Sequence, residues 1–280
     1  MKYAILLRNS GLIMAIVGAS MAAPLIISIY ENEPHVKALF LSMIITLVSG
    51  GTLYFSVPAK GSIGYREGFS MVTFGWLSAT FFGALPFWLT GTIPVFADAF
   101  FESMSGFTTT GASIITNIEA MPRSILFWRS LTHWLGGMGI MVLFVAILSQ
   151  LGAGGMQVFR AEAPGPITEK IKPRISETAK VLWLTYVILT VLQTIFLKVA
   201  GMGWFDALTH AFGTMATGGF STKNLSVGHF QNPAIEWVII LFMFAAGANF
   251  SLYFSAIRNK SLKTFWRNEE FRLYALIIGG

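Results

Sequence analysis

Apolar residues along this chain run in long blocks, separated by short clusters rich in charge, glycine and proline. A helix needs about 20 residues to cross a bilayer, and six blocks reach that length: 11–30, 36–57, 69–92, 124–148, 179–199 and 234–257. A seventh begins at Phe271, and the chain is expected to stop before that span is complete. The first block is full length and has no small-residue cleavage site before polar sequence, so it is expected to remain as a span rather than act as a signal peptide. The pattern predicts an all-α membrane protein.

Two stretches break this rhythm. Between the third and fourth blocks lies 97-ADAFFESMSGFTTTGASIITNIEAMPRS-124, and between the fifth and sixth lies 205-FDALTHAFGTMATGGFSTKNLSVGHFQNP-233. Each is too short to add a crossing and its return, yet too apolar for a solvated loop. Residues 97–107 predict a helix of about three turns, followed by threonine and glycine. The two stretches superimpose at a constant offset of 108 residues without a gap: Asp98 on Asp206, Ala99 on Ala207, Thr109 on Thr217, Gly111 on Gly219 and Ser113 on Ser221. The aspartate at the start suits an N-cap or first-turn position, where its charge meets the positive end of the helix dipole. Internal repetition of this kind is an architectural signal. The repeated unit is helix, short helix, Thr/Gly segment, helix. The expected organisation is an N-terminal helix pair over 1–60, a first unit over 61–150, a connector over 151–178, a second unit over 179–258, and a loop with the start of a third unit over 259–280.

Composition agrees with a membrane setting: 54% of the residues are hydrophobic and 11% are charged, against about 25% charged in soluble domains. The charge pattern then orients the chain. With the N-terminus in the cytoplasm, 14 of the 19 Lys and Arg residues fall inside, as the positive-inside rule requires. Lys37, Arg123, Arg129, Lys198 and Lys223 fall outside or near the outer face. The net charge of +6 is thereby explained by topology, and the basic residues are dispersed rather than gathered with aromatics, which excludes a nucleic-acid interface. There is no cysteine, so disulfides and thiolate–metal sites are excluded.

Irregular backbone at membrane depth must be buried in protein or line a watery cavity, because lipid offers no hydrogen bonds. Extended Thr and Gly residues can turn successive carbonyls to one side, and such oxygens can replace the hydration shell of K⁺ or Na⁺. Glycine contributes by reaching φ > 0 without a Cβ clash. A short helix ending halfway across aims its negative C-terminal end at the bilayer centre, which favours a cation there. Small residues also occur wherever membrane helices pack closely, but a second copy at the same place in a repeat argues for a pore.

The motifs 108-TTTGAS-113, 134-WLGGMGIMVL-143, 151-LGAGGMQVFRAEAPGP-166 and 216-ATGGFST-222 resemble the TrkH-type subunits of the Trk/Ktr/HKT potassium-transporter superfamily, and the resemblance runs from the first span to 268-NEEFR-272. It implies a K⁺-channel-like fold, in which two N-terminal helices precede four tandem units of outer helix, pore helix, filter loop and inner helix. Two such units are complete here, so the chain is expected to be the N-terminal half of a longer protein. The filter residues implied are Thr109, Thr110 and Gly111 in the first unit and Thr217, Gly218 and Gly219 in the second, with K⁺ at their carbonyls. Thr108, Ser113, Glu102 and Ser221 are expected to support the filter, and Asn249 is a candidate for facing the cavity. The implied activity is potassium uptake across the bacterial cytoplasmic membrane by a homodimer with no covalent cofactor. A TrkA-type cytoplasmic subunit would confer nucleotide regulation, docking on inner loops such as 151–178.

Other residues invite other chemistry. His133 and His210 could carry protons, but both are expected to be polar packing groups rather than ligands. Glu236, like Glu102, lies near the outer end of an apolar element. Ser221 has no base placed to activate it as a protease nucleophile, and no enzymatic activity is expected. A secondary cation transporter with broken helices and a non-conducting fragment are the alternative readings; the parallel rather than inverted order of the two units favours the channel-like plan.

Overall fold

A computed structural model describes residues 3–58, 65–137, 139 and 175–279. Among these residues every regular element is helical. The first three are α1 (Tyr3–Ser20), α2 (Ala22–Tyr30) and α3 (Val36–Ser56). Next come α4 (Tyr65–Gly83), α5 (Leu85–Leu89), α6 (Phe96–Phe107) and α7 (Arg123–Gly137). They are followed by α8 (Ile175–Val199), α9 (Trp204–Met215), α10 (Pro233–Gly247), α11 (Phe250–Arg258), α12 (Lys263–Arg267) and α13 (Glu269–Gly279). Among the described residues four helical runs are long and apolar enough to cross a membrane: Tyr3–Tyr30, Val36–Ser56, Phe69–Leu89 and Lys180–Val199. The part of the expected span 124–148 beyond α7, and the expected connector as far as residue 174, lie outside the described residues apart from Gly139.

The spans pack through small residues, as membrane helices do when backbones must approach closely. Helices α1 and α3 cross at Gly11 and Gly50, where a Cβ on either glycine would lie 2.7 Å from the other's carbonyl oxygen. The main core gathers Ile13, Val17 and Met21 of α1 and its junction with α2, Met71 and Ala79 of α4, Phe87, Phe107 and Trp128. Large apolar side chains on the other faces, such as Phe40 and Val48 of α3 and Leu184 and Val191 of α8, are exposed. Lipid is the solvent that suits them.

Two blocks that read as single spans are broken. The block 69–92 divides into α4 and α5 at Ala84, whose own backbone stays helical, where Pro86 lies at the start of α5 and cannot donate a backbone hydrogen bond. The Trp128 indole of α7 donates to the Gly83 carbonyl there at 2.9 Å, and Ser103 of α6 donates to the Thr80 carbonyl at 2.9 Å. The block 234–257 divides into α10 and α11 at Ala248, whose backbone is extended. The Tyr253 hydroxyl donates to the Ala245 carbonyl at 2.7 Å and the Tyr274 hydroxyl of α13 to the Phe244 carbonyl at 3.0 Å, so carbonyls left by the break are bonded. At its other end α10 starts on Pro233, with the Asn232 side chain accepting from the Ala234 amide at 2.9 Å. That is an N-cap followed by proline at the first helical position, where its missing N–H is harmless.

Candidate functional site

Helices α6 and α9 each have 12 residues, with Asp98 and Asp206 in their first turns. The expected helix 97–107 is therefore observed with one further residue at its start. Both helices end on the same hydrogen-bond pattern. In the first, the amides of Thr108, Thr109 and Thr110 donate to the carbonyls of Met104, Gly106 and Ser105. In the second, the amides of Ala216, Thr217 and Gly218 donate to those of Phe212, Thr214 and Gly213. Each bond of one set maps onto a bond of the other at the offset of 108 residues.

The backbone that follows is matched as well. Thr109 and Thr217 have φ of 55° and 54°, and Gly111 and Gly219 have φ of 76° and 87°. Sequence reasoning expected the positive φ at glycine. It did not expect it at threonine, a β-branched residue for which the left-handed region is an outlier. Such strain persists only where surrounding structure over-determines it, and it clusters at functional sites. The segments are thus not simply extended; they alternate left-handed residues with ordinary ones, which re-aims successive carbonyls.

The two segments also touch. A Cβ built on Gly111 would fall 2.0 Å from the Gly218 carbonyl oxygen, so only glycine allows this approach. On the other side of the second segment, a Cβ on Gly218 would fall 2.5 Å from His133 Nε2.

Behind each segment a buried side chain of the short helix holds a serine. Glu102 of α6 is fully buried and accepts from Ser113 Oγ at 2.9 Å and from the Ile114 amide at 3.1 Å. At the equivalent place in α9 stands His210, whose Nε2 lies 2.9 Å from Ser221 Oγ. His210 Nδ1 is 2.7 Å from the Asp206 carbonyl. A carbonyl only accepts, so Nδ1 carries a proton, and in the neutral imidazole Nε2 then accepts from the serine hydroxyl. Ser113 Oγ in turn accepts from the Ile115 amide at 3.1 Å, and Ser221 Oγ from the Lys223 amide at 3.0 Å. Thr222 Oγ1 donates to Asp206 Oδ1 at 2.6 Å. In the first segment, the Thr108 hydroxyl donates to the Met104 carbonyl at 2.7 Å and lies 2.8 Å from Thr110 Oγ1.

Farther along, Asn224 ties the two outgoing loops together. Its Oδ1 accepts from the Ile118 amide at 2.7 Å and its Nδ2 donates to Asn117 Oδ1 at 3.2 Å. Among the described residues no three His, Asp or Glu side chains gather as a metal site. The oxygens concentrated at the segments are backbone carbonyls and threonine hydroxyls. Two helix C-termini, each with a partial negative charge, converge on them.

This arrangement can be set beside known proteins. The family model TrkH, described as cation transport protein, matches residues 35–278. The chain belongs to the TrkH family. It is 42% identical over 277 residues to the Trk system potassium uptake protein TrkH of Escherichia coli (strain K12), covering 98% of this chain and 57% of that protein. It is 41% identical over 283 residues to the protein of the same name from Halomonas elongata, covering 100% of this chain and 59% of that protein. The crystal structure of the potassium transporter TrkH from Vibrio parahaemolyticus superimposes with a TM-score of 0.84 at 35% identity, covering 99% of this chain and 57% of that one. The chain therefore has the all-helical membrane fold of a transporter family, not of an enzyme, and spans less than three-fifths of the length of these relatives.

One residue at this site was not expected from the sequence. Arg129 of α7, counted there with charges at the outer face, is instead buried, at 2% exposed. The reason is its partners: Nε donates to Glu102 Oε1 at 2.6 Å, Nη1 donates to the Ser221 carbonyl at 3.0 Å, and the guanidinium lies 3.6 Å from the centroid of the Phe220 ring. A signal was present, since an arginine inside an apolar block implies a buried partner of opposite charge, and Glu102 is an acidic residue inside the neighbouring short helix. His133, one turn after Arg129, is fully buried with its ring 3.8 Å from that of Phe220. Asn249 lies away from the segments in sequence, at the break after α10, with its Nδ2 3.4 Å from Glu270 Oε2 of α13. Glu236 lies in the first turn of α10.

Proposed function

We propose that this chain is part of a potassium-translocating subunit of a Trk-type uptake system. In it, Thr109, Thr110 and Gly111, together with Thr217, Gly218 and Gly219, form two strands of one carbonyl-lined selectivity filter. The observation that carries this reading is the residue-for-residue match of the two segments, including the left-handed threonines Thr109 and Thr217. A cation stripped of water needs oxygens held in fixed places around it, and a pair of superimposable backbones at two helix C-termini supplies half of such a ring. The relatives' names, Trk system potassium uptake proteins, support potassium as the ion. The tandem organisation follows: α4, α6 and α7 belong to a first unit and α8, α9 and α10 to a second, behind the α1–α3 pair. Glu102, Ser113, Thr108 and Ser221 hold the strands from behind, and K⁺ binds carbonyls rather than side chains.

The positive-inside pattern supports an N-terminus in the cytoplasm, and the family resemblance supports the bacterial cytoplasmic membrane as its location. The family resemblance adds a homodimer and a TrkA-type subunit through which nucleotides act.

Uptake measurements in potassium-uptake-deficient cells expressing the full-length protein test this reading. Gly111→Ser and Gly219→Ser should lower the ratio of K⁺ to Na⁺ uptake. Ratios equal to the unsubstituted protein's would remove the filter assignment.

A further inference from the structure

Arg129 belongs to the first unit but holds parts of both. Through Glu102 it is tied to Ser113, which follows the first segment, and through Nη1 it is bonded directly to the carbonyl of Ser221, which follows the second. Ser113 and Ser221 are equivalent under the offset of 108 residues. One guanidinium thus spans corresponding points of the two strands. Its planar fork makes this possible, because separate nitrogens of fixed direction reach two acceptors at once, which a lysine ammonium on a flexible stem does not reproduce. The carbonyl of Ser221 thereby spends one of its two lone pairs on the arginine.

The Phe220 ring is gripped from the same helix face. Arg129 lies 3.6 Å from its centroid and His133 3.8 Å from it. His133 also abuts Gly218, whose carbonyl lies against Gly111. The strand separation is therefore fixed at one place by backbone contact between Gly111 and Gly218, and at another by the arginine fork.

We infer that Arg129 is a positioning residue for ion specificity: a side chain of the first unit's inner helix sets the geometry of the second unit's filter strand. This rests on the filter reading proposed above. A helix-to-helix anchor with no such role would change the amount or stability of the protein, and total flux with it, but not the preference among cations.

The test is Arg129→Lys in the full-length protein, with the ratios of K⁺ to Na⁺ and K⁺ to Rb⁺ uptake measured beside the unsubstituted protein and Gly111→Ser. Lysine keeps the charge opposite Glu102 and loses the second arm. Losing one hydrogen bond from a charged group corresponds to about a tenfold change, which bounds the effect, so the K⁺ to Na⁺ ratio is expected to fall by up to about that factor while the protein still accumulates. The double variant Glu102→Gln with Arg129→Gln removes both charges together; it is expected to accumulate better than Glu102→Gln alone, and to show the same loss of preference. Unchanged ratios in either variant, at normal protein levels, overturn the inference. Failure of both variants to accumulate assigns the pair to folding and overturns it too. If Gly111→Ser also leaves the ratios unchanged, the filter reading itself has failed; if Gly111→Ser shifts them and Arg129→Lys does not, only the role of Arg129 is lost.

Discussion

Glu102 and His210 occupy equivalent places, and each is hydrogen-bonded to the serine 11 residues later, Ser113 or Ser221, at 2.9 Å. The geometry is repeated and the chemistry is not. The first unit uses a buried carboxylate with an arginine partner, and the second a neutral imidazole whose tautomer is set by the Asp206 carbonyl.

The two positions should therefore differ in sensitivity. Glu102→Gln strands the Arg129 charge in the interior, and breaking a buried pair from one side costs about 3–5 kcal/mol. His210→Gln removes neutral hydrogen bonds worth about 1 kcal/mol each. Thermal unfolding of the purified full-length variants should place Glu102→Gln well below His210→Gln; the reverse order would contradict the roles assigned to them.

The glycines of the two segments should also separate. A Cβ at Gly111 meets the Gly218 carbonyl at 2.0 Å in addition to sitting at φ 76°, whereas one at Gly219 meets nothing within 4 Å among the described residues and has only φ 87° against it. A left-handed alanine costs roughly 1–2 kcal/mol, so Gly219→Ala should show that loss and Gly111→Ala a larger one. Melting curves of the two variants compare them directly, and equal losses would mean that the segments do not touch as described.

Thr217 offers the opposite experiment. At φ 54° it is strained, so Thr217→Gly relieves a left-handed β-branched residue. Thr73 lies in α4 with its hydroxyl bonded to the Phe69 carbonyl at 3.1 Å, and glycine there loses that bond and roughly half a kcal/mol of helix propensity. Thr217→Gly should be the less destabilising of the two in the same unfolding assay. A greater loss at Thr217 would argue that the left-handed backbone is not strained.

Much of this was legible in the sequence, for identifiable reasons. Hydrophobic blocks disclose spans because lipid leaves the backbone no partner but its own helix, and the repeat disclosed the matched segments because Asp98, Thr109 and Gly111 recur at a fixed offset. The threonine conformation was hidden, since local preference argues against it and only the bonds closing α6 and α9 impose it. Arg129 was hidden because a basic residue in a membrane chain is first read as a topology signal; its burial depends on Glu102, brought to it by packing rather than by spacing. The break at Ala248 was masked because 234–257 is apolar enough overall to read as one span, although Gly247 and Asn249 flank the break.

Close approach of α7 to the end of α6 gives a further check. A Cβ on Gly136 would lie 2.1 Å from the Phe107 carbonyl oxygen, while one on Gly51 of α3 meets nothing within 4 Å among the described residues. Gly136→Ala should destabilise the protein by about 1–3 kcal/mol, as overpacking does, and Gly51→Ala should stabilise it by up to about 1 kcal/mol through helix propensity. Opposite signs in the melting temperature are the expected result, and a loss at Gly51 as large as that at Gly136 would contradict the packing.

The central claim, that the segments around Gly111 and Gly219 are strands of one cation filter, is tested most directly by locating the ion. Crystals of the full-length protein grown with Tl⁺ or Rb⁺ should give an anomalous peak touching backbone oxygens of both segments, removed by excess K⁺ and retained in Na⁺. A cation bound at side chains away from these segments, or no peak between them, would contradict it.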